Sequence, residues 1–231
     1  MSDRRPAVIS AVTVLLGICL ALWLSGCSSS ATDSEEPSVA TTPSDPALVA
    51  EIQQAADATK ALTSAHLSIS STGRVESLLG ISSADVDVRA NPLAAKGVCT
   101  YNDEAGVPFR VADDQISVKL FDDWTTLGSL SELASARLVD PTNGVAKMLS
   151  GVTNLRADGT EVIDGVPTNQ ITGMLSTDTV KMLDPGARQP RPATVWIAND
   201  GSHRLVRAQV DLGSGTVAVT LSKWNEPVNI E

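Results

Sequence analysis

The sequence predicts an α+β domain, one antiparallel sheet with helices gathered on one face. Three observations carry that prediction. Residues 46–62 repeat their apolar side chains at helical spacing, six later segments alternate apolar with polar residues, and two short capped segments interrupt the alternation.

The first element opens at Asp45-Pro46, an N-cap residue followed by proline at the first helical position. Leu48, Ile52, Ala55, Thr59 and Leu62 share one face of the helix over residues 46–62. The other face carries Glu51, Gln54 and Asp57. A helix lying on a membrane prefers a basic polar face, so packing against the domain's own sheet is the expected use.

After Ser64 the period changes to two. Leu67, Ile69 and Ser71 alternate with serines, Val86 and Val88 with Asp85, Asp87 and Arg89, and Phe109 and Val111 with Pro108 and Arg110. Ile116, Val118 and Leu120 follow the same pattern, as do Val206, Ala208, Val210 and Leu212, and then Val217, Val219 and Leu221. Each segment reads as a half-buried antiparallel strand with one wet face. Turns are expected at Asn91-Pro92, Asn102-Asp103, Asp113-Asp114, Asn199-Asp200-Gly201 and Gly213-Ser214-Gly215. Of the two short helices, one is capped by Asp140-Pro141 and turns Val145, Met148, Leu149 and Val152 inward. The other is capped by Ser176, runs over residues 177–183 with Val180 and Leu183 inward, and stops at Asp184-Pro185-Gly186.

The N-terminus reads as a targeting segment. Arg4 and Arg5 precede an apolar run over residues 7–24, and Leu24-Ser25-Gly26-Cys27 is a lipobox: leucine, two small residues, then the cysteine whose thiol accepts a diacylglycerol. Residues 1–26 are therefore expected to be a lipoprotein signal peptide and Cys27 the lipidated first residue of the mature chain. An uncleaved anchor and an ordinary secretory signal are the competing readings. Residues 27–45 form the lipidated cysteine and a flexible tether: of the 18 residues 28–45, 11 are Ser, Thr or Pro and four are acidic. Residues 46–231 form the folded domain. Once Cys19 leaves with the signal and Cys27 takes its lipid, Cys99 is the one remaining thiol, so no intramolecular disulfide is expected.

Composition narrows the function. The chain has 231 residues, 17 Lys+Arg against 27 Asp+Glu and a net charge of −10, which argues against nucleic-acid binding. No metalloprotease, phosphate-loop, C-x-x-C or nucleophile-elbow motif is present. His66 and His203, the only imidazoles, sit at a strand start and after a turn, where surface or capping roles fit better than a catalytic triad. Asp113-Asp114 and Asp122-Asp123 read as solvated turn residues. No catalytic residue, metal site or cofactor is expected. The domain is rich in small aliphatics and poor in aromatics: Tyr101, Phe109, Phe121, Trp124, Trp196 and Trp224. A sheet filled with small aliphatics under short helices either leaves an apolar cavity for acyl chains or packs solid, and composition leaves both open.

Several segments resemble a known family. Thr59-Lys60-Ala61-Leu62 with Ser64-Ala65-His66, Asn91-Pro92 with Ala94-Ala95 and Gly97, and Asp140-Pro141 with Gly144-Val145-Ala146 and Leu149 fall in the order seen in the mycobacterial LppX/LprA/LprF/LprG lipoproteins. At the C-terminus, residues 192–197, Leu205-Val206, Gly213-Ser214-Gly215 and residues 220–224 match most strongly. Within the family the sequence looks nearest to the LprG and LprA members. The resemblance implies a curved antiparallel half-barrel, similar to the LolA/LolB carriers, covered on its concave face by helices with an apolar cavity between.

The resemblance also implies a job. The chain would bind acylated glycolipids of the phosphatidylinositol mannoside or lipoarabinomannan type, or triacylglycerol, and carry them from the inner membrane toward the outer mycomembrane. It would be a lipid-anchored monomer on the extracytoplasmic side of the cell membrane, in part in the cell wall or secreted, with an inner-membrane lipid transporter as a further partner. The cavity lining is expected from Val86, Val88, Cys99, Tyr101, Phe109, Val111, Val118, Leu120, Met148 and Leu149. The alternative is a structural or signalling surface lipoprotein acting through its acylated N-terminus on a Toll-like receptor of the host.

Overall fold

Asp45 opens the fold as a helix cap: its carboxylate accepts from the Ala47 backbone N–H at 2.9 Å, and Pro46 fills the first helical position. The computed structural model describes residues 44–73, 75 and 78–230, so Cys27, the signal segment and most of the tether lie outside the described residues. Helix α1 (Pro46–Lys60) buries Ile52, Ala55, Ala56 and Thr59. The Thr59 hydroxyl donates to the Ala55 carbonyl at 2.7 Å, so this buried polar group is satisfied within the helix.

Among the described residues, eleven strands form one antiparallel sheet. They are β1 (Ser64–Gly73), β2 (Ile81–Ala90), β3 (Leu93–Tyr101), β4 (Glu104–Ala112), β5 (Gln115–Leu120), β6 (Asp123–Ser129), β7 (Val152–Ile163), β8 (Val166–Leu175), β9 (Arg191–Ala198), β10 (Leu205–Asp211) and β11 (Gly215–Ser222). Their order is β6-β5-β4-β3-β2-β1-β11-β10-β9-β8-β7. The sheet is open: β6 and β7 are its two edges and do not pair with each other. All but one of the connections between sheet neighbours are local; β1 and β11 close the chain's two ends together in the middle.

Register places the apolar positions in continuous rows. One concave row runs Ile171, Val195, Ala208, Val219, Ile69, Ala84, Cys99, Val107 from β8 across to β4. The row beside it holds Leu221, Leu67, Val86, Gly97, Phe109 and Val118. Gly97 is required there, because a Cβ would collide with the Asp85 carbonyl oxygen across the ladder. The opposite face is wet and charged. His66 sits between two carboxylates, with Nε2 2.8 Å from Asp85 and Nδ1 2.7 Å from Asp87, and Arg110 lies over the Trp124 ring at 4.1 Å.

Four short helical segments lie between β6 and β9 in sequence. A 3₁₀ turn (Ala134–Val139) leads into a single π turn (Pro141–Val145), which continues as α2 (Ala146–Ser150); α3 (Thr177–Val180) follows β8. Asp140 caps the π turn by accepting from Thr142 and Asn143 N–H groups, both at 2.9 Å. Gly144 lets that turn lie against the preceding one, since a Cβ would strike the Arg137 carbonyl oxygen. Helix α1 packs on α2 and the π turn. It is tied to the sheet where Asn169 donates to Glu51 at 2.8 Å and the Leu155 N–H donates to the Ser44 hydroxyl at 2.8 Å.

Four details differ from the sequence expectations. Strands β3, β6, β7, β8 and β9 lie outside the six segments read as alternating. The Ser176-capped helix ends at Val180, with Leu183 buried in the turns that follow. Strand β11 already starts at Gly215. A bulge between Leu205 and Arg207 shifts the first part of β10, so Leu205 rather than Val206 joins the concave core, while Ala208, Val210 and Leu212 keep their expected side.

Candidate functional site

The space between sheet and short helices is divided into two apolar pockets. The floor of the first is Ala193 and Val195 of β9, Ala208 and Val210 of β10, and Val217 and Val219 of β11. Its roof is Val145, Met148 and Leu149, with Leu183 and Leu138 beside them. The second has Ile69, Ile81, Ala84, Phe109 and Ile116 below and Ala136, Leu138 and Val139 above, with Leu78 and Leu79 at its end. Leu138, 3% exposed, lines both and forms the partition.

Neither lining includes an ionisable side chain; the polar contributors are Gln209 in the first pocket and Ser82, Ser83 and Ser135 in the second. Counting space open to solvent, the pockets enclose ≈ 410 and ≈ 490 Å³. Free space for a water-sized body amounts to only ≈ 20 and ≈ 50 Å³. Roughly 10–15 Å³ of such space holds one water, so these are narrow slots, partly open to solvent. Such walls offer dispersion contacts and exclusion of water, the two things an acyl chain needs, and no directional chemistry.

The structure brings three of the ten expected lining residues to the pockets: Met148 and Leu149 to the first, Phe109 to the second. Val86, Val88, Cys99, Val111 and Val118 are buried on the same concave side, within the core around the pockets. Tyr101 and Leu120 are half-buried and pack against that core at its margin. Burial pushes the Cys99 thiol up to about 11, so it stays protonated at neutral pH and is a poor nucleophile. Cys27 lies outside the described residues. The lining of the first pocket on β10 and β11 carries the same alternation as β2, β4 and β5, and that signal points to Val217, Val219, Ala208 and Val210. Leu138 had no such signal, because a single 3₁₀ turn has no period to read.

Comparison with known proteins agrees with this geometry. Residues 45–230 match the LppX_LprAFG lipoprotein family. A Mycobacterium tuberculosis protein named as a candidate phthiocerol dimycocerosate transporter, LppX, is 67% identical over 233 residues, covering all of both chains. The lipoarabinomannan carrier protein LprG of Mycobacterium bovis is 34% identical over 235 residues, covering 98% of this chain and 94% of its own. Similarity to LppX thus exceeds that to LprG, the member the sequence reading had placed nearer. The crystal structure of Mycobacterium tuberculosis LppX superposes with a TM-score of 0.75 at 69% identity, over 81% of this chain and 100% of that one. LprF from Mycobacterium bovis gives 0.69 at 25% identity, over 82% and 98%. An open eleven-stranded sheet, an apolar interior and these likenesses lead to one assignment: the chain belongs to the LppX_LprAFG lipoprotein family.

Proposed function

We propose that this chain is an envelope lipoprotein that encloses the acyl chains of a lipid between its sheet and its short helices and carries it from the inner membrane toward the outer mycomembrane. The observation that supports this most is the pair of largely apolar pockets, without an ionisable side chain, meeting at Leu138. Each methylene moved from water into such a chamber contributes about 0.8 kcal/mol, so a long chain is held without any polar contact. The slots leave space for only a few waters, so loading would have the roof lift and Leu138 swing aside, joining the two pockets. Cys27, acylated, would hold the domain at the extracytoplasmic face of the cell membrane, and the tether would let it reach its lipid donor, an inner-membrane transporter among the candidates. The name of the relative at 67% identity favours a phthiocerol dimycocerosate cargo, and that of the relative at 34% an acylated lipoglycan; triacylglycerol is the simplest further fit.

The test is to express the chain with Cys27 intact in a mycobacterial host and extract what co-purifies for mass spectrometry. A stoichiometric acylated lipid, beyond the covalent anchor, is the expected result. One observation favours a second reading, a surface lipoprotein acting through its acylated N-terminus: the pockets are almost full of their own side chains. A protein that emerges empty and also refuses a fluorescent acyl probe would give that reading the lead.

A further inference from the structure

The chain has two phenylalanines, and the fold uses them in opposite ways. Phe109 is buried beside the second pocket, whereas Phe121, at the tip of the β5–β6 hairpin, is 100% exposed. Trp124, three residues on, is 39% exposed, with Arg110 over its ring. The backbone makes Phe121 more unusual still. Leu120 pairs with Asp123, so Phe121 and Asp122 alone make the turn, and Phe121 sits at φ +57°. Three other two-residue turns of the sheet have left-handed backbone: Asn102-Asp103, Asp113-Asp114 and Asp164-Gly165. They are built from residue types that adopt this conformation readily. A phenylalanine there costs backbone energy and, fully exposed, gains no packing within the domain.

The position of the turn supplies a use. Strand register puts it at the end of the sheet that also holds the Asn102-Asp103 turn, the β1–β2 connection and the start of β7. The Asn102 N–H donates to the Gly80 carbonyl at 2.8 Å, which ties the β1–β2 connection to that turn. Leu78 and Leu79, beside Gly80, close the second pocket at this end. Ser44, the first described residue, bonds Leu155 near the start of β7, and α1 leads from there toward the opposite end, where β1 begins. Sixteen residues, 28–43, join Cys27 to Ser44, a reach of at most about 60 Å. The chain thus enters the domain at the end that carries Phe121 and the Leu78–Leu79 end of the second pocket.

We infer that the β5–β6 tip is the domain's contact with a lipid bilayer: Phe121 enters the acyl boundary and Trp124 lies at head-group level, so the Leu78–Leu79 end of the second pocket faces the lipid to be exchanged. The inference rests on the carrier reading and deepens it by naming the surface through which lipid passes. Aromatic rings favour that boundary, where an apolar body is buried and a polar edge stays wet. The charges set the character of the contact. Asp122 and Asp123 lie on the tip, Asp103 and Glu104 on the next turn, and Lys119 is the only cation of the hairpin, residues 115–129. An anionic surface is therefore not attracted, and the contact is shallow and apolar.

The test uses the full chain, expressed with Cys27 intact in a mycobacterial host and reconstituted into phosphatidylcholine vesicles containing 6,7-dibromo-phosphatidylcholine. Phe121→Trp should lose emission to bromine contact beyond the loss seen in the unmodified chain. Val162→Trp, at an exposed apolar position near the opposite end of the sheet, should show no such extra loss. Phe121→Asp should take up a fluorescent acyl probe from the vesicles about tenfold more slowly, while uptake of the same probe from free solution stays unchanged. Equal quenching at positions 121 and 162, or unchanged uptake from vesicles in Phe121→Asp, would overturn the bilayer contact and leave the carrier reading intact. Emission of Phe121→Trp that moves to the blue with protein concentration, in the absence of lipid, would give the tip to a second copy and overturn the inference likewise. Quenching that appears only when phosphatidylglycerol is added would make the contact electrostatic and overturn the apolar tip. Failure of the unmodified chain to take up the probe from either source would overturn the carrier reading, and the quenching at position 121 would still decide the bilayer contact by itself.

Discussion

Each interior strand of the floor is six to ten residues long and paired on both sides, whereas the roof over the pockets is made of turns and helices of four to six residues. Isolated helices that short do not hold themselves in water, because nucleation fixes several residues for the first hydrogen bond gained. The roof keeps its shape through single side chains: the Asp140 cap, the Ser176 cap, and Leu138, Val145 and Leu149 pressed against the sheet. Helix α1, at 15 residues, clamps the roof from behind and does not line either pocket. The difference assigns the work. On the carrier reading, the floor would hold the geometry and the roof would supply the motion that lets a lipid enter.

The largest effect should come from damage to the floor. Leu67 is fully buried in the central row between Leu221 and Val86. Leu67→Ala should destabilise the domain by about 3 kcal/mol in urea unfolding, the usual range for a buried leucine that leaves a cavity being roughly 2–5. A loss under about 1 kcal/mol would mean that the floor yields as readily as the roof, and the contrast would fail.

The next effect separates one chamber from two. Ala84 faces the second pocket and Ala193 the first. Ala84→Trp and Ala193→Trp should each cost about 1–3 kcal/mol through overpacking. If Leu138 swings aside on loading, either substitution alone should abolish uptake of a long-chain probe. If each only halves the bound acyl content, the pockets act separately and Leu138 is a fixed wall.

A smaller effect should appear at the roof. Asp140→Ala removes the acceptor of two N–H groups and should cost about 1 kcal/mol, the usual loss on deleting a helix cap. Its kinetic signature should exceed its thermodynamic one: probe uptake in stopped flow should speed up several-fold, because the roof opens more often. Unchanged uptake would place the moving part elsewhere.

The same contrast explains what the sequence made legible. Strands β1, β2, β4, β5 and β11 alternate because one face meets the core and the other meets water, and that pattern survives in the residues alone. Strand β8 does not alternate: Thr168, Asn169, Gln170 and Thr172 put polar groups along it, since Asn169 bonds α1 and Thr168 caps the Glu161 carbonyl. Strand β7 is bulged twice and exposed along most of its length, so no apolar period develops. The roof was harder still. Its π and 3₁₀ turns are set by tertiary contacts such as Gly144 against Arg137, and a turn of that length leaves no periodicity. Met148 and Leu149 were visible as one face of a capped segment; Leu138, which joins the two pockets, was not.

The smallest effect lies at the rim of the floor and is a matter of pH. The β9–β10 turn is held by Asp200, whose carboxylate accepts from the Ser202 N–H at 3.0 Å and the Arg204 guanidinium at 2.7 Å. Arg204 in turn lies 4.5 Å over the Trp224 ring, and Trp224 donates to the Leu205 carbonyl at 3.1 Å. The hydrogen bonds from Ser202 and Arg204 hold the Asp200 carboxyl down to about 2, below its ordinary value of 3.8. A carboxyl lowered in the folded state stabilises that state at pH values above the unfolded pKa, and the contribution disappears as pH falls through the folded one. Stability from this turn is therefore complete at neutral pH and is lost between about pH 4 and pH 2. Asp200→Asn should lower stability slightly at pH 7 and flatten the acid limb of the unfolding profile, an effect kept small by the exposure of both partners. Lipid retention at pH 4 should be the same in both proteins, because the turn joins two floor strands. Faster lipid release from the variant at that pH would show that the rim of the floor, and not only the roof, governs opening.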